Sequence, residues 1–516
     1  MPNQDLLLDI QGITKRFGSL VANDQISLQL RQGEILALLG ENGAGKTTLM
    51  NILFGHYIAD EGTIAVSGVP LPPGSPRAAL KAGLGMVHQH FTLAENMTVL
   101  DNIVLGSESL FSWRRNNSRA RARIDRLCEQ YELDLNHRSL VKNLSVGQRQ
   151  RVEIVKALYR DTRILILDEP TAVLTPQESD HLFFTLKLLV EKGLAVIFIT
   201  HKLREVMAAS DRCLVLRHGK VTCNCATRDT DIATLAREMV GGTVPKVKRL
   251  PIQPGQNLLC LKEISAVDSR QHPLLDSVSL TVNSGEILGI AGVSGNGQSH
   301  LADLIAGLLQ PDSGSFSLHG RPVTSFHPRQ MIGQGIGRIP EDRTGTGLIG
   351  DMTVQENLAL ENYLRPPLSR LGLLNFPALA SRTEEITQRY DVRCAGPDAL
   401  ARTMSGGNMQ KLILGRVLSA APQLILANQP TWGLDVGAMA FVHQQLIAAS
   451  HDGAGVIIIS EDLDELFTLA DFIQVMYQGT LSPPIRPADT TARDLGLAMS
   501  GQRDIMLSYS LQEISQ

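Results

Sequence analysis

The sequence lacks a large charge of either sign. Its 516 residues include 48 lysines and arginines and 52 aspartates and glutamates, which give a formal net charge of −4. Proteins that coat nucleic acid or adhere to anionic lipid need a large cationic surface, so this balance argues against both and predicts no nucleic-acid partner. With 43% hydrophobic and 19% charged residues, the chain can build sizeable cores, and a disordered protein is excluded.

Cysteine is scarce, and its spacing forms no metal-binding motif. The six cysteines include no CxxC pair and a single CxC, Cys223 and Cys225, without a second pair at zinc-finger spacing. We interpret all six as reduced structural thiols, as is typical of proteins that fold in the cytosol.

Long apolar runs are also missing. The first twelve residues contain no basic stretch followed by an apolar run, so no signal peptide is expected. No run approaches the roughly 18 consecutive apolar residues of a membrane-spanning helix. The longest buried-looking runs, 194–199 and 456–459, have the length of strands. Any role at a membrane must therefore involve a partner.

The sequence does contain an internal duplication. The segment ISLQLRQGEILALLGENGAGKTTL, from Ile26, returns as VSLTVNSGEILGIAGVSGNGQSHL, from Val278. Two later blocks recur in the same order: LSVGQRQ at 144–150 as MSGGNMQ at 404–410, and DEPTAVLT at 168–175 as NQPTWGLD at 428–435. Several matched blocks in one order indicate two copies of one domain rather than chance similarity.

The duplication predicts a domain organisation. We expect a first domain at 1–242, a linker at 243–257 with three prolines and no apolar periodicity, a second domain at 258–503 and a tail at 504–516. Continuous apolar runs within each half are typical of parallel strands covered on both faces. The arginine-rich, helix-compatible sequence around 91–140 indicates a helical insertion. Each half is therefore predicted to be α/β, with a mixed or parallel sheet core and a helical insertion subdomain.

A phosphate-binding loop is predicted at 40–47. GENGAGKT fits GxxxxGK[ST] between a predicted strand and a predicted helix, which favours this interpretation over a simple glycine-rich turn. Its glycines let successive backbone N–H groups face one anion, and the helix that begins at Lys46 adds the positive end of its dipole. Lys46 suits the β- and γ-phosphates of a nucleotide, and the Thr47 hydroxyl suits Mg²⁺. The predicted nucleotide-binding residues of the loop are Gly40, Glu41, Asn42, Gly43, Ala44, Gly45, Lys46, Thr47 and Thr48.

Two carboxylates follow an apolar strand further along the first half. The run ILILDE at 164–169 places Asp168 and Glu169 at the carboxyl end of the strand. There Asp168 can reach Mg²⁺ through water, while Glu169 can polarise an attacking water. The alternative, a pair of ordinary surface acids, fits poorly after four apolar residues.

The order of these motifs resembles the ABC-type ATPase family. LSVGQRQ, between the loop and the acidic strand, is similar to that family's signature sequence. Gln89 in MVHQHF resembles its Q-loop glutamine, His201 in ITHK its switch histidine, and Phe17 in KRFG the aromatic residue that stacks on adenine. The resemblance implies two tandem P-loop ABC-type ATPase domains that use ATP and Mg²⁺. It implies catalytic roles for Gln89, Glu169 and His201, and Mg²⁺ contacts for Thr47, Gln89 and Asp168.

The second half departs from this pattern at each chemical position. Gln298 replaces the loop lysine, and Asn428 and Gln429 replace the two carboxylates. Glu341 and Glu461 stand where Gln89 and His201 would be, and Ser269 lies where an aromatic residue would match Phe17. Amides cannot act as general bases, and added acids repel an anionic nucleotide. This pocket is predicted not to hydrolyse ATP; whether it binds nucleotide stays open.

The resemblance also implies how the halves cooperate. In the ABC family two ATPase halves pair head to tail, with each nucleotide between the loop of one and the signature of the other. The intact loop would then face 404–410, and the residues contributed by the second half would be Ser405, Gly406, Gly407, Gln410 and Asp435. The other composite site would combine the degenerate loop with Val146 in place of a glycine and Thr175 in place of an aspartate. We therefore predict one hydrolysing site per chain.

Two functions are compatible with this sequence pattern. The first is the energy-coupling subunit of a bacterial ABC importer, peripheral on the cytoplasmic side of the inner membrane, with two transmembrane permease subunits and an extracytoplasmic substrate-binding lipoprotein. The second is a soluble tandem ABC ATPase acting on ribosomes or DNA. That soluble group typically has two competent sites and a long charged helical linker, so the sequence favours the importer. The chain resembles the simple-sugar and nucleoside uptake family. Within that family, the segment MVHQHFTLAENMTVLDNIVLG is more similar to the nucleoside branch than to the ribose or galactose branch.

A cluster of arginines lies in the predicted helical insertion. The plain interpretation is a solvated helix face; the alternative is a surface for the permease and anionic lipid headgroups. The residues are Arg114, Arg115, Arg119, Arg121, Arg123 and Arg126.

Overall fold

The computed structural model describes residues 5–88, 91–107, 117–171, 174, 176–242, 249, 255–370 and 373–502. The chain divides into two compact units, 1–244 and 245–516, and each is described by itself. Across the described residues, no helix combines the length and the apolar character that crossing a membrane requires.

The first unit contains a parallel sheet core and an antiparallel sheet. Its strands are β1 (Leu6–Phe17), β2 (Leu20–Arg31), β3 (Ile35–Gly40), β4 (Glu61–Val66), β5 (Val69–Pro70), β6 (Leu84–Val87), β7 (Ile164–Asp168), β8 (Ala195–Ile199), β9 (Arg212–Arg217) and β10 (Lys220–Ala226). Its helices are α1 (Lys46–Phe54), α2 (Pro76–Lys81), α3 (Val99–Val104), α4 (Asn117–Gln130), α5 (Val146–Leu158), α6 (Pro176–Glu191), α7 (Leu203–Ala209) and α8 (Ile232–Val240).

Strand order in the first unit explains where its site lies. The core sheet runs β10-β9-β3-β8-β7-β6, parallel except for the β9–β10 hairpin, and the second sheet, β2-β1-β4-β5, is antiparallel. Every residue of β3 and β8 is buried, as expected for strands covered on both faces. Since β3, β7 and β8 are parallel neighbours, the segments that follow them meet at one edge of the sheet.

The second unit repeats this architecture. Its strands are β11 (Asn257–Val267), β12 (Pro273–Asn283), β13 (Ile287–Ala291), β14 (Ser313–Leu318), β15 (Arg321–Pro322), β16 (Ile336–Ile339), β17 (Ser369–Arg370), β18 (Leu373–Leu374), β19 (Leu424–Asn428), β20 (Gly455–Ser460), β21 (Phe472–Tyr477) and β22 (Thr480–Leu481). Its helices are α9 (Gln298–Ile305), α10 (Pro328–Gly333), α11 (Val354–Ala359), α12 (Phe376–Arg389), α13 (Gly406–Leu418), α14 (Val436–His451), α15 (Leu463–Leu469) and α16 (Ala492–Met499).

The two units match strand for strand in their main sheets. The core sheet of the second unit runs β16-β19-β20-β13-β21-β22, and its antiparallel sheet runs β12-β11-β14-β15. The corresponding strands of the first unit stand in the same orders, β6-β7-β8-β3-β9-β10 and β2-β1-β4-β5. The predicted α/β class and the internal duplication are therefore confirmed.

The predicted helical insertion of the first unit contains α3 and α4. Arg114 and Arg115 lie outside the described residues. Arg123 Nη2 donates to Asp161 Oδ1 at 2.7 Å, and the Arg123 guanidinium lies 4.7 Å from the centre of the Tyr159 ring, although 41% of the arginine side chain stays exposed. These contacts join α4 to the end of α5, and both interpretations of the arginine cluster stay predictions.

Part of the predicted linker packs against the second unit. Arg249 is almost fully buried; its Nε donates to Asp471 Oδ1 at 2.7 Å, and its Nη2 donates to the Gly285 carbonyl. The Gly255 N–H donates to the Ser284 carbonyl, and Asn257 opens β11. Most of 243–254 lies outside the described residues, so the boundaries of the linker stay a prediction.

The cysteines are free thiols. The β9–β10 hairpin brings Cys213 to Cys225 and Cys223 to Cys225, each pair with 3.5 Å between sulfur atoms. Burial raises the pKa of the Cys213 thiol to about 12 and that of the Cys223 thiol to about 11, so these two thiols stay protonated at neutral pH. Throughout the described part of the chain, no group of three or more histidine, cysteine or acidic side chains is arranged to hold a metal ion.

Candidate nucleotide-binding site

The predicted phosphate loop lies between β3 and α1 of the first unit. Gly40 ends the strand and Lys46 begins the helix, so the loop crosses the carboxyl edge of the parallel sheet. Gly43 and Gly45 have positive φ, +82° and +101°. The first N–H groups of a helix have no carbonyl partner within the helix, so the amino end of α1 presents donors to the loop.

Close packing makes glycine necessary at position 45. A Cβ there would lie 2.3 Å from the Ala22 carbonyl oxygen and 2.5 Å from Asn23 Nδ2, and this Asn23 amide already donates to the Gly45 carbonyl at 3.0 Å. At Gly43, by contrast, a Cβ would meet nothing within 4 Å. The two glycines share a left-handed backbone, but only Gly45 is also confined by its neighbours.

This contrast gives a matched pair of substitutions. Gly43→Ala should lower the free energy of unfolding by about 1 kcal/mol, the cost of the left-handed backbone. Gly45→Ala should lower it by at least about 2 kcal/mol more, because backbone atoms must also move. Urea denaturation of both variants measures the difference, and equal losses would contradict the packing argument.

Lys46 lies folded over the loop. Its Nζ donates to the Gly40 carbonyl at 2.7 Å and to the Glu41 carbonyl at 3.0 Å, and the residue is buried, with 7% exposed. The ammonium group is therefore held where the loop amides converge, and it can contact phosphate without ordering a long free side chain.

A cavity of about 400 Å³ opens beside the loop. Its lining includes the loop and α1 on one side, Asp168 and Glu169 on another, and Phe17 at the rim, where the ring is 44% exposed. Tyr57 supports this ring edge-on at 5.6 Å between centroids. An exposed aromatic face beside a phosphate loop suits the base of a nucleotide. The remaining lining residues were not foreseen from the sequence; they are Leu20, Val21, Ala22 and His218.

The acidic pair lies at the carboxyl end of β7, where Asp168 is the last residue of the strand and Glu169 follows it. Burial, together with the charge of Glu169, raises the pKa of the Asp168 carboxyl, and the Lys46 ammonium opposes this rise. A cation close to Asp168 would relieve the repulsion between the two carboxylates. Thr47 and Asp168 line the same cavity, and a hydroxyl, one carboxylate and phosphate oxygens are the donors that Mg²⁺ prefers. These residues therefore fit the ion.

Glu169 and His201 are in direct contact. His201 Nδ1 lies 3.0 Å from Glu169 Oε1, although the residues are 32 positions apart. Burial alone would raise the pKa of Glu169, but the hydrogen bond and charge of His201, with the charge of Lys46, hold it below its ordinary value. Glu169 is thus a carboxylate at neutral pH. Its backbone has φ +45°, which is uncommon outside glycine.

The Q-loop glutamine could not be placed. Gln89 lies outside the described residues, so its predicted catalytic and metal roles stay predictions. The segment after it is anchored: Glu153 Oε1 accepts from the Thr92 N–H at 2.7 Å and from its hydroxyl at 2.9 Å. Glu153 is buried on α5, the helix that begins at the signature sequence. Sequence reasoning missed this link between the Q-loop and the signature helix.

The signature residues of the second unit lie at the start of α13. Ser405 is its N-cap and accepts from the Asn408 N–H, and Gly406 and Gly407 open the helix. Gln410 is 1% exposed, and its Oε1 accepts from Arg343 Nε at 2.9 Å, so its amide faces this unit's own interior. Asp435 caps α14 by accepting from the Ala438 N–H. Their roles towards a nucleotide remain predictions.

The second unit retains the backbone of the site without its charges. Gln298 Nε2 donates to the Val293 carbonyl at 2.9 Å, so a neutral amide folds over the loop where Lys46 lies in the first unit. Gln429 has φ +47°, almost the value of Glu169, and its Oε1 accepts from the Glu461 N–H. Asn428 is buried at the end of β19. The second unit therefore has the same backbone as the first, with amide side chains where the first unit has Lys46, Asp168 and Glu169.

Comparison with known proteins agrees with this geometry. The model of the ABC transporter family matches 23–172 and 275–432, one segment in each unit. The nucleoside import ATP-binding protein NupA of Lactococcus lactis is 43% identical over 97% of this chain and 99% of its own length, and the glucose import ATP-binding protein TsgD13 of Haloferax volcanii is 43% identical over 98% of each chain. A solved complex of the archaeal ribosome recycling factor aABCE1 matches 94% of this chain and 92% of its own with TM-score 0.64 and 18% identity, a likeness that shows the fold alone. The chain therefore belongs to the ABC transporter family and carries two ATPase domains of that family.

Proposed function

We propose that this chain is the ATP-hydrolysing subunit of an ABC importer for nucleosides or simple sugars, with one hydrolytic site, in its first unit. The observation that carries the proposal is the contact between Glu169 and His201 beside Lys46, set against Gln298 and Gln429 at the matching positions of the second unit. The similar proteins named for import support the importer, while the ribosome recycling factor shares only the fold.

The reaction follows from the positions of the side chains. ATP would bind with its base on Phe17 and its phosphates on the loop amides and Lys46. Thr47 and Asp168 would hold Mg²⁺, which when bound neutralises charge on the phosphate oxygens. Glu169 orients a water molecule and accepts its proton as the water oxygen bonds to the γ-phosphorus. The bond from that phosphorus to the β–γ bridging oxygen breaks, releasing ADP and phosphate.

His201 has a supporting role in this step. Its contact with Oε1 holds the Glu169 carboxyl group in place and lowers its pKa, which keeps the carboxylate ionised. Ser405, Gly406 and Gly407 of the signature sequence are proposed as further ATP contacts, and Gln89 as a further Mg²⁺ contact.

An import function requires membrane partners. We place the chain on the cytoplasmic side of the membrane, bound to two permease subunits that receive substrate from an extracytoplasmic binding protein. A groove of the second unit suits a permease segment: apolar side chains, among them Leu308 with 56% exposed, line it together with the ion pair between Arg416 and Glu361. Apolar surface beside a polar anchor is typical of protein contacts.

Membrane recruitment tests the proposed function. Co-expression with its permeases should move the chain into the membrane fraction, and Leu308→Glu should reduce the recruited amount about 10-fold, since a charge would be buried on docking. Val69→Glu, at an exposed strand of the antiparallel sheet, is the control and should be recruited normally. Co-sedimentation with ribosomes in place of recruitment would contradict the importer. Thermal-shift measurements on the partner binding protein, with nucleosides and sugars, would identify the substrate.

A further inference from the structure

One carboxylate beside the site, with 12% of its side chain exposed, has no part in the chemistry above. Glu205 lies in the first turn of α7, and each of its oxygens accepts a hydrogen bond from a threonine hydroxyl. Oε1 accepts from Thr171 Oγ1 at 2.5 Å, and Oε2 accepts from Thr200 Oγ1 at 2.9 Å. Both threonines are 2% exposed. Glu205 thus ties together two segments that are 29 residues apart in the sequence.

These two segments carry the reacting pair. Thr171 follows Glu169 with only Pro170 between them, and Thr200 immediately precedes His201. The Glu169 N–H also donates to the Ile199 carbonyl at 2.9 Å. The carboxyl ends of β7 and β8 are therefore joined by this main-chain hydrogen bond as well as by the Glu205 side chain. The left-handed backbone at Glu169 costs free energy and persists only where surrounding contacts hold it. Glu205 holds the neighbouring residues of this pair, Thr171 and Thr200, through its two hydrogen bonds.

The second unit contains the same arrangement around a degenerate site. Glu465 Oε1 accepts from Thr431 Oγ1 at 2.8 Å, and Oε2 accepts from Ser460 Oγ at 2.6 Å. His443 Nε2 lies 2.9 Å from the same Oε1, whereas in the first unit Lys202 Nζ lies 3.7 Å from Glu205 Oε1. The same hydroxyl–carboxylate clamp therefore holds a pair that can react in one unit and a pair that cannot in the other.

We propose that Glu205 is a positioning residue for ATP hydrolysis, fixing Glu169 and His201 in contact through Thr171 and Thr200. The inference rests on the proposed function, which places hydrolysis in the first unit. Glu205 is not proposed to contact water or nucleotide. Its effect is to hold the general base and its histidine partner within the narrow range of positions that proton transfer requires.

The duplication supplies the matched control. In the full-length chain, Glu205→Gln keeps the side-chain volume but loses one acceptor, and kcat for ATP should fall about 10- to 100-fold with KM changed less than about two-fold. Glu465→Gln removes the equivalent acceptor and should change kcat by less than about two-fold. Both should lower Tm by a similar amount. Equal losses of kcat in the two variants would overturn the proposal, since they would indicate a purely structural role.

A double-mutant cycle distinguishes an effect on the reacting pair from a general loss of stability. If Glu205 acts through the reacting pair, Glu205→Gln should cost little further activity in a chain that already carries His201→Ala. Full additivity would overturn the proposal. Thr200→Val, which removes one hydrogen bond, replaces Glu205→Gln if that variant does not fold, with the same expectation. Failure of the proposed function is recognised separately, by wild-type hydrolysis in Glu169→Gln.

Discussion

Glu169→Gln should bind ATP with nearly unchanged affinity and hydrolyse it about 10²- to 10⁴-fold more slowly, the usual contribution of a general base. The amide keeps the size of the carboxylate and can still contact His201 Nδ1, so the pocket should retain its shape. It cannot accept a proton from water. The phosphate contacts of Lys46 and of the loop do not involve position 169, which is why affinity and rate should separate.

The second unit contains a natural control for this variant. Gln429 has the same left-handed backbone as Glu169 and already carries the amide, so Gln429→Ala should leave the rate within about two-fold of wild type. Single-turnover hydrolysis and equilibrium nucleotide binding, measured on both variants, distinguish loss of chemistry from loss of binding. A substantial rate in Glu169→Gln would mean that another group activates the water, and the proposed site would be wrong.

Local patterns in the sequence were sufficient for much of the fold. The strands β3, β7 and β8 appear as uninterrupted apolar runs because both faces of the sheet are covered, and the phosphate loop appears because GxxxxGK[ST] requires its neighbours to be a strand and a helix. The internal duplication made the fold of the second unit predictable as well, together with the positions at which its motifs are altered. These features depend on residues that are close in the sequence, or on one repeat being read against the other.

The contacts that the sequence did not reveal join residues far apart in the chain. Glu205 meets Thr171, Glu153 meets Thr92, and Arg343 meets Gln410, across 34, 61 and 67 residues. A buried glutamate on an amphipathic helix looks like any surface acid until its partners are known. His218 was missed for a related reason: it lines the pocket from the β9–β10 turn, and only the strand order brings that turn to the loop.

Lys46→Ala should lower the affinity for ATP by at least about 100-fold, or about 2.7 kcal/mol, because a buried ammonium group is lost beside several phosphate charges. Hydrolysis should fall with binding, unlike in Glu169→Gln. The two carbonyls that Lys46 holds, Gly40 and Glu41, would also lose a donor, so the loop itself should become less ordered.

The corresponding position of the second unit makes this prediction specific. Gln298→Ala should leave ATP hydrolysis within about two-fold of wild type, since the second unit is proposed not to contribute its own loop to the reaction. Gln298→Lys should not create a second active site, because Asn428 and Gln429 still supply neither a metal ligand of carboxylate strength nor a base. Its amide now donates to Val293, and a lysine there could reach carbonyls as Lys46 does. A doubled turnover in Gln298→Lys would show that the second site is inactive only because it lacks this cation. An unchanged rate would indicate that the replaced carboxylates at Asn428 and Gln429 also account for its inactivity.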